Sequence, residues 1–512
     1  MSELVEINSG PVMGSNNPTS ATPPPHPHSI PRTPKSPFSS AARMMTPLAS
    51  PMKKAIASMQ NCLEEVGHLT KLDPQDSWLP ITESRNGNAY YAAFHTLSSG
   101  IGFQALLLPL AFTTLGWVWG IISLSLAFIW QLYTLWLLIQ LHESVPGTRY
   151  SRYLRLSMAA FGERWGKILA LFPTLYLAGG TCVSLIMMGG STMKIFFHTV
   201  CGTNTTCDTY TLSLVEWYLI FVCSALILAQ LPNLNSIAGI SLVGAATAVT
   251  YCTLTWVLSV SKTRPPGVSY EPVLTKSAIG NVSSILNALG IIAFAFRGHN
   301  LVLEIQGTMP STVKNPSSVP MWKGVKFSYI IIACCLFPMA VGGYWAYGDL
   351  IPTNGGMLSA LDEYHREDTP RMILGLASLF VVINCLTSFQ IYAMPVFDNL
   401  EFRYTSNKNG PCPWWLRTGI RVFFGCLAFF ISVALPFLKN LAALIGGIAL
   451  PVTLAYPCLM WIRIKKPHRY SAMWWLNCSL GSLGMILSIL LVFGAIWTIA
   501  TQGIAIHFFK PE

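Results

Sequence analysis

The sequence predicts an all-α integral membrane protein of about eleven spans. Three observations carry this. Of 512 residues, 52% are hydrophobic and only 10% are charged, where a soluble chain of this length carries about a quarter charged residues. Mean hydropathy is +0.49. Apolar runs of about twenty residues, the length that crosses a bilayer, recur along the chain from residue 88 onward. So few charges cannot cover a water-facing surface, and the reading is a polytopic membrane protein. The net charge of +11 does not call for nucleic acid, because cytoplasmic loops collect Lys and Arg and face anionic lipid. No basic helix interleaved with aromatics is present. Most of the 13 Cys stand singly inside apolar runs, as small hydrophobes do.

Residues 1–85 are a different material. Thr22-Pro-Pro-Pro-His-Pro-His and Pro31-Arg-Thr-Pro-Lys-Ser-Pro are too poor in apolar side chains to bury a core, and a disordered cytosolic tail is expected. Thr33, Ser36, Thr46 and Ser50 each precede a Pro beside basic residues. They are candidate kinase sites, where a phosphate removes up to ~2 units of charge near the membrane. The alternative is an idle tail. No signal peptide opens the chain, so the first span is expected to direct insertion.

The spans are predicted near 88–112, 117–141, 168–198, 215–231, 236–260, 282–306, 326–348, 371–397, 416–436, 441–462 and 473–499, within a membrane domain of 86–505 followed by a short tail of 506–512. With the N-terminus inside, the inner segments hold 22 Lys and Arg and the outer ones hold seven. That bias predicts a cytosolic N-terminus and an extracytosolic C-terminus. Cys201-Gly-Thr-Asn204-Thr-Thr-Cys207 then falls outside, where disulfides persist. A Cys201–Cys207 bridge is expected, and Asn204 heads a glycosylation sequon. Asn281-Val-Ser is a second sequon, but it lies too near the membrane to favour.

Two spans depart from the uninterrupted apolar pattern. Span one places Ser98, Ser99, Gly100 and Gly102 before Pro109, and span six carries Arg297, Gly298, His299 and Asn300 at mid-depth. Irregular backbone at that depth survives only where protein or a water-filled cavity satisfies it. Two half-helices meeting there offer amides to an anionic group and carbonyls to a cationic one. A solute bearing both a carboxylate and an ammonium matches such a pair. Breaks in spans one and six, five apart, also fit two inverted repeats of five spans. For span one the plainer reading is a close helix-packing face. For span six it is a structural Arg297–Glu304 pair.

Gly298-His-Asn-Leu-Val-Leu-Glu-Ile-Gln-Gly-Thr-Met-Pro-Ser-Thr with Pro320-Met-Trp-Lys-Gly, Phe389-Gln-Ile-Tyr-Ala-Met-Pro-Val-Phe-Asp-Asn-Leu-Glu401, and Gly446-Gly-Ile-Ala-Leu-Pro-Val-Thr-Leu-Ala-Tyr-Pro-Cys-Leu-Met-Trp461 closely resemble the lysine/histidine-transporter-like branch of the plant amino acid/auxin permease family. The resemblance covers roughly residues 86–505. The long Pro/Ser tail is similar to that of its extended members. It implies a LeuT-type fold with broken helices 1 and 6, proton-driven amino acid uptake, and a plasma-membrane location. It implies that Ser99, Gly100, Ile101 and Gly102 with Phe296, Arg297 and Gly298 hold the substrate backbone. Tyr176, Asn384 and Ser388 would line the same cavity. Phe103, Gln104 and Arg297 depart from the family's pattern, which leaves the substrate spectrum open.

Glu304 is the first candidate for proton coupling, because desolvation eases protonation of a carboxyl. His299 is the second, as a side chain that titrates near neutrality. His95 reads as a satisfied core histidine. One proton crossing ~100 mV yields about 2.3 kcal/mol and a one-unit pH step adds about 1.4. Together they support roughly 500-fold accumulation of a neutral solute. The expected partners are thus an amino acid, protons as coupling ion and the lipid bilayer, with no cofactor, metal or nucleic acid. A non-transporting amino acid sensor on the same fold is the alternative. An enzyme would need metal-spaced His and acids or an activated nucleophile, and none is found. A channel would need a ring of filter residues.

Overall fold

The computed structural model describes residues 76, 78–83, 85–201, 212–231, 237–272, 277–353, 355–434 and 438–502, without the side chains of 299, 300, 438–440 and 502. Thr33, Ser36, Thr46, Ser50, Asn204, Cys207 and the His299 side chain therefore lie outside the described residues.

The described chain is helical. α1 (Ala89–Gly100) is followed by α2 (Gln104–Leu141), α3 (Tyr153–Phe161), α4 (Glu163–Cys201), α5 (Leu214–Leu228) and α6 (Ala238–Ser261). α7 (Ala278–Ala295), a tight three-residue-per-turn segment Arg297–Leu301, and the short α8 (Val302–Gly307) make up the sixth predicted span. Then come α9 (Ser318–Tyr347), α10 (Gly356–His365), α11 (Arg371–Lys408), α12 (Trp414–Ala434), α13 (Leu438–Leu450), a widened turn Pro451–Ala455, α14 (Tyr456–Lys465) and α15 (Ala472–Gln502). α1 starts on a side-chain cap, with Asn88 Oδ1 accepting from the Tyr90 and Tyr91 amides at 3.0 Å each. α5 starts on a capping box between Ser213 and Glu216, which satisfies two end amides reciprocally.

Nine helices among the described residues are long and apolar enough to cross a bilayer, and Leu214–Leu228 is a shorter apolar helix. The difference from eleven has a physical cause. α2 carries the end of the first predicted span and all of the second in one run, broken only at Gly116, whose φ of 68° and ψ of −175° suit a residue without a Cβ. The helices α3 and α10 fall in segments read from sequence as loops.

Large apolar side chains such as Trp119, Ile129, Phe172, Ile330, Phe423 and Ile489 are exposed. In water such a surface would be a liability; against lipid tails it is the expected coat. The helix over Leu441–Lys465 is central, with 83% of its apolar window buried, whereas that over Ala472–Thr501 is peripheral at 28%. α11 is the hub, packing on α4 and α6 and also meeting α1 and α5.

Candidate functional site

Both interrupted spans are broken. α1 stops at Gly100, Ile101 is extended (φ −111°, ψ 109°), and helix resumes only at Gln104. In the sixth span α7 stops at Ala295, and Phe296 leaves the helical region (φ −106°, ψ 33°). The breaks touch. A methyl added at Gly298 would stand 3.2 Å from both the Ser99 carbonyl oxygen and Ser99 Oγ, tighter than an ordinary methyl contact, so glycine eases the close approach of the two backbones.

Backbone freed from helix inside a bilayer must find partners, and one face of α11 supplies them. Asn384, Ser388 and Tyr392 recur at intervals of four, so they stack on one face of the helix. Tyr392 donates its hydroxyl to the Ser99 carbonyl at 2.7 Å. Ser388 Oγ donates to the Ser98 carbonyl at 3.0 Å. Asn384 Nδ2 donates to the Gly244 carbonyl at 3.1 Å and the Ile101 carbonyl at 3.4 Å, tying the break to α6. Two glutamines serve the remainder. Gln104 Nε2 donates to the Gly100 carbonyl at 3.0 Å and reaches the Ala295 carbonyl at 3.5 Å, and Gln131 Nε2 donates to the Phe296 carbonyl at 2.7 Å. Gln104, a departure from the expected pattern, is a clasp between the two breaks.

Arg297 lies in the middle. It is 1% exposed, and its Cζ sits 4.7 Å from the Phe294 ring centroid and 5.0 Å from those of Phe103 and Tyr392. None of its three guanidinium nitrogens makes a well-formed hydrogen bond to a described residue. The titratable groups that act on it most strongly are Tyr392, Cys385, Tyr251 and Cys182, and none of these four is a carboxylic acid. Tyr392 donates its hydroxyl to Ser99, and its oxygen faces the guanidinium as a neutral acceptor. Beside the breaks, Thr96, Ser99, Gly100, Gln131, Phe296 and Tyr329 are among the residues around a cavity of about 10 Å³. That is room for one water and too little for an amino acid, so the two halves are closed on each other here.

Glu304 is elsewhere. It does not pair with Arg297: its Oε1 accepts from the Tyr153 amide at 3.4 Å and its Oε2 has no partner among the described residues. It adjoins a second small cavity, about 20 Å³, with Arg152, Tyr153, Thr174, Pro395 and Asn399 in its wall. The Tyr153 hydroxyl donates to the Val452 carbonyl at 2.8 Å, which joins this region to the widened turn. Tyr176 is half-buried, and its ring contact is Phe172 at 5.8 Å rather than the Arg297 cage. Cys201 ends α4 and is disulfide-bonded. His95 is buried against Ser241, Nδ1 to Oγ at 2.8 Å.

Two polar networks fasten the loop between α2 and α3. In the first, Arg152 holds Asp398 at 2.5 Å and Asp76 at 2.7 Å. In the second, Glu143 accepts from Ser317 at 2.7 Å and Ser311 at 2.9 Å, while Arg149 lies 3.4 Å from it and donates to the Gln306 carbonyl at 2.8 Å. Burial pushes the neighbouring His142 imidazole down to about 4, so Arg149 is the cation of this group. No cluster of three or more His, Cys, Asp or Glu among the described residues could hold a metal ion.

The family model for transmembrane amino acid transporter proteins matches residues 85–501. The chain belongs to that family. Lysine histidine transporter-like 8 of Arabidopsis thaliana is 60% identical to this transporter over 469 residues, covering 92% of this chain and 90% of the relative. Lysine histidine transporter-like 7 of Arabidopsis thaliana is 46% identical, covering 86% and 90%. Among solved structures, a nucleobase-cation-symport-1 family transporter in a closed conformation with bromovinylhydantoin bound superposes with a TM-score of 0.52 at 12% identity, covering 84% of this chain and 96% of that one. The likeness shows the fold, which is LeuT-like. The transporter is thus a multi-pass membrane protein of an amino acid transporter family, and its homologues are transporters rather than enzymes.

Sequence reasoning missed Phe103, Phe294 and Tyr392 as walls around Arg297, and Gln131 as a partner of the second break. The available signal was the interval of four that carries Asn384 and Ser388 on to Tyr392.

Proposed function

We propose that this transporter is a proton-coupled amino acid symporter working by alternating access, with the substrate backbone held where the breaks of spans one and six meet. The observation that carries the reading is the abutment of Gly298 on Ser99, beside a closed cavity that both breaks line. Helix ends meeting inside a membrane offer amides to a carboxylate and carbonyls to an ammonium. Ser99, Gly100, Ile101, Gly102, Phe296, Arg297 and Gly298 belong to that junction. Asn384 and Ser388 support it from α11, and Tyr176 is left as a more distant wall of an opened cavity.

Glu304 is the proposed proton carrier. It is 6% exposed, one of its oxygens is unpartnered and it stands on the sixth span against the start of α3. An unpaired buried carboxylate costs several kcal/mol, which a bound proton removes. His299 is the second candidate. The proposed setting is the plasma membrane with a cytosolic N-terminus, an extracytosolic glycan at Asn204, a Cys201–Cys207 bridge, and a 1–85 tail open to kinases. The test is uptake of labelled alanine, glutamate and lysine at outer pH 5 and 7.5 in cells without their own uptake. Acid-stimulated uptake that a protonophore abolishes is expected for at least one of them. A surface-exposed protein with no uptake of any of the three contradicts the reading.

A further inference from the structure

We infer that Arg297 sets the substrate class: it takes an anionic side chain and rejects a cationic one, so that acidic amino acids are preferred over lysine. This rests on the reading that the paired breaks hold the amino acid backbone. The physical problem is an uncompensated cation. Arg297 is 1% exposed, three nitrogens lack a well-formed hydrogen bond among the described residues, and the titratable groups that act on it most strongly are tyrosines and cysteines. Three aromatic faces at 4.7–5.0 Å offset part of the cost of burying the charge. They supply no anion. Other buried arginines are provided for: Arg152 has Asp398 and Asp76, and Arg421 has the Ala229 and Leu231 carbonyls at 2.6 and 3.0 Å with Glu401 at 3.8 Å. Arg297 is the exception, and it stands at the break.

Its position decides between two kinds of anion. The start of α2 turns the positive end of its dipole toward the break, although its Ala105 and Leu106 amides already donate to the Gly102 and Phe103 carbonyls at 2.9 and 3.0 Å. A zwitterionic amino acid carries one carboxylate and brings its own ammonium, so its backbone is charge-balanced by the helix ends alone. Arg297 adds a further positive charge, next to Gly102, where a methyl would lie 3.2 Å from Nη2. A glutamate or aspartate side chain supplies the missing negative charge in bidentate geometry. A lysine side chain would bring a second cation beside Arg297, where the nearby groups are neutral, among them Gln104 Oε1, unpartnered here.

The experiment uses the full-length purified chain in detergent at pH 7. Ligand-induced thermal stabilisation is titrated with glutamate, aspartate, alanine and lysine for wild type, Arg297→Met and Arg297→Lys. Wild type is expected to bind glutamate or aspartate at least about tenfold more tightly than lysine, one charge-assisted pair's worth. In Arg297→Met that ratio should fall to about one, and Arg297→Lys should keep part of it. Lysine binding as tightly as glutamate in wild type overturns the inference while leaving the amino acid site intact. So does an unchanged ratio in Arg297→Met, or a loss of alanine together with glutamate, which would make the guanidinium a holder of the common α-carboxylate. Stabilisation by none of the four in wild type overturns the site reading itself.

Discussion

Replacing Tyr392 by Phe removes one oxygen and keeps the ring that covers Arg297 at 5.0 Å. The lost group is the hydroxyl that donates to the Ser99 carbonyl at 2.7 Å. Tyr392 is fully buried and Ser99 is 2% exposed, so in the closed conformation water does not easily replace the donor. Leaving a buried carbonyl unpaired costs about 1–3 kcal/mol. Ser388→Ala acts on the adjacent Ser98 carbonyl and should cost a similar amount, whereas Asn384→Leu strips donors from two carbonyls and should cost more. The assay is the midpoint of thermal aggregation of tagged, detergent-solubilised protein. At a few degrees per kcal/mol, Tyr392→Phe and Ser388→Ala should each lower it by a few degrees, with Asn384→Leu below both. Because the three donors serve one short stretch of backbone, the double variants should deviate from additivity. If all three single variants melt with wild type, the polar face of α11 does not hold the break of span one, and that part of the reasoning fails.

Three other outcomes are expected from the geometry. Glu304→Gln should reach the surface and lose the acid stimulation of uptake, measured as the ratio of initial rates at outer pH 5 and 7.5; a retained ratio assigns the proton elsewhere. Gly298→Ala places a methyl 3.2 Å from two Ser99 oxygens and should cut uptake severely without loss of surface protein, as scored by surface labelling beside radiolabel uptake. Burial works to raise the Glu143 carboxyl, but the adjoining His142 ring, the Arg149 guanidinium and the Ser317 hydroxyl outweigh it and hold it well below the usual carboxylate range. Its stabilisation is then complete above the unfolded value of about 4.3 and is lost only as pH falls through the lower folded value. Glu143→Gln should therefore lower thermal stability yet leave the shape of the pH profile between 5 and 7.5 unchanged, measured on the same uptake curve.

The bilayer architecture was legible because the signal is bulk composition: apolar runs of spanning length, with polar punctuation between them. The two breaks were legible for a related reason, since Ser99-Gly-Ile-Gly and Arg297-Gly-His-Asn have no comfortable place in a continuous apolar helix. Partnerships were not legible. Arg297 and Glu304 are seven apart, two turns of an α-helix, and a continuous helix would place them on one face. The five residues Arg297–Leu301 instead form a tighter turn, in which each residue advances about 120° rather than 100°. Together they rotate α8 by roughly 100° relative to a continuous helix, which carries Glu304 away from the Arg297 cage toward Tyr153. Gln104 stood out only as a departure from the family's pattern because its partner in the next break, the Ala295 carbonyl, is 191 residues away in sequence. Tyr176 was placed with the cavity by resemblance alone, and the geometry sets it against Phe172.

The central claim is that this chain couples a proton to an amino acid at the paired breaks. Its most direct test is purified full-length protein reconstituted into proteoliposomes with an imposed inward proton gradient and labelled glutamate outside. Accumulation above equilibrium is expected, collapsed by a protonophore and removed by Glu304→Gln while exchange of preloaded glutamate persists. Glutamate entry that only equilibrates, indifferent to the gradient in wild type, would contradict it.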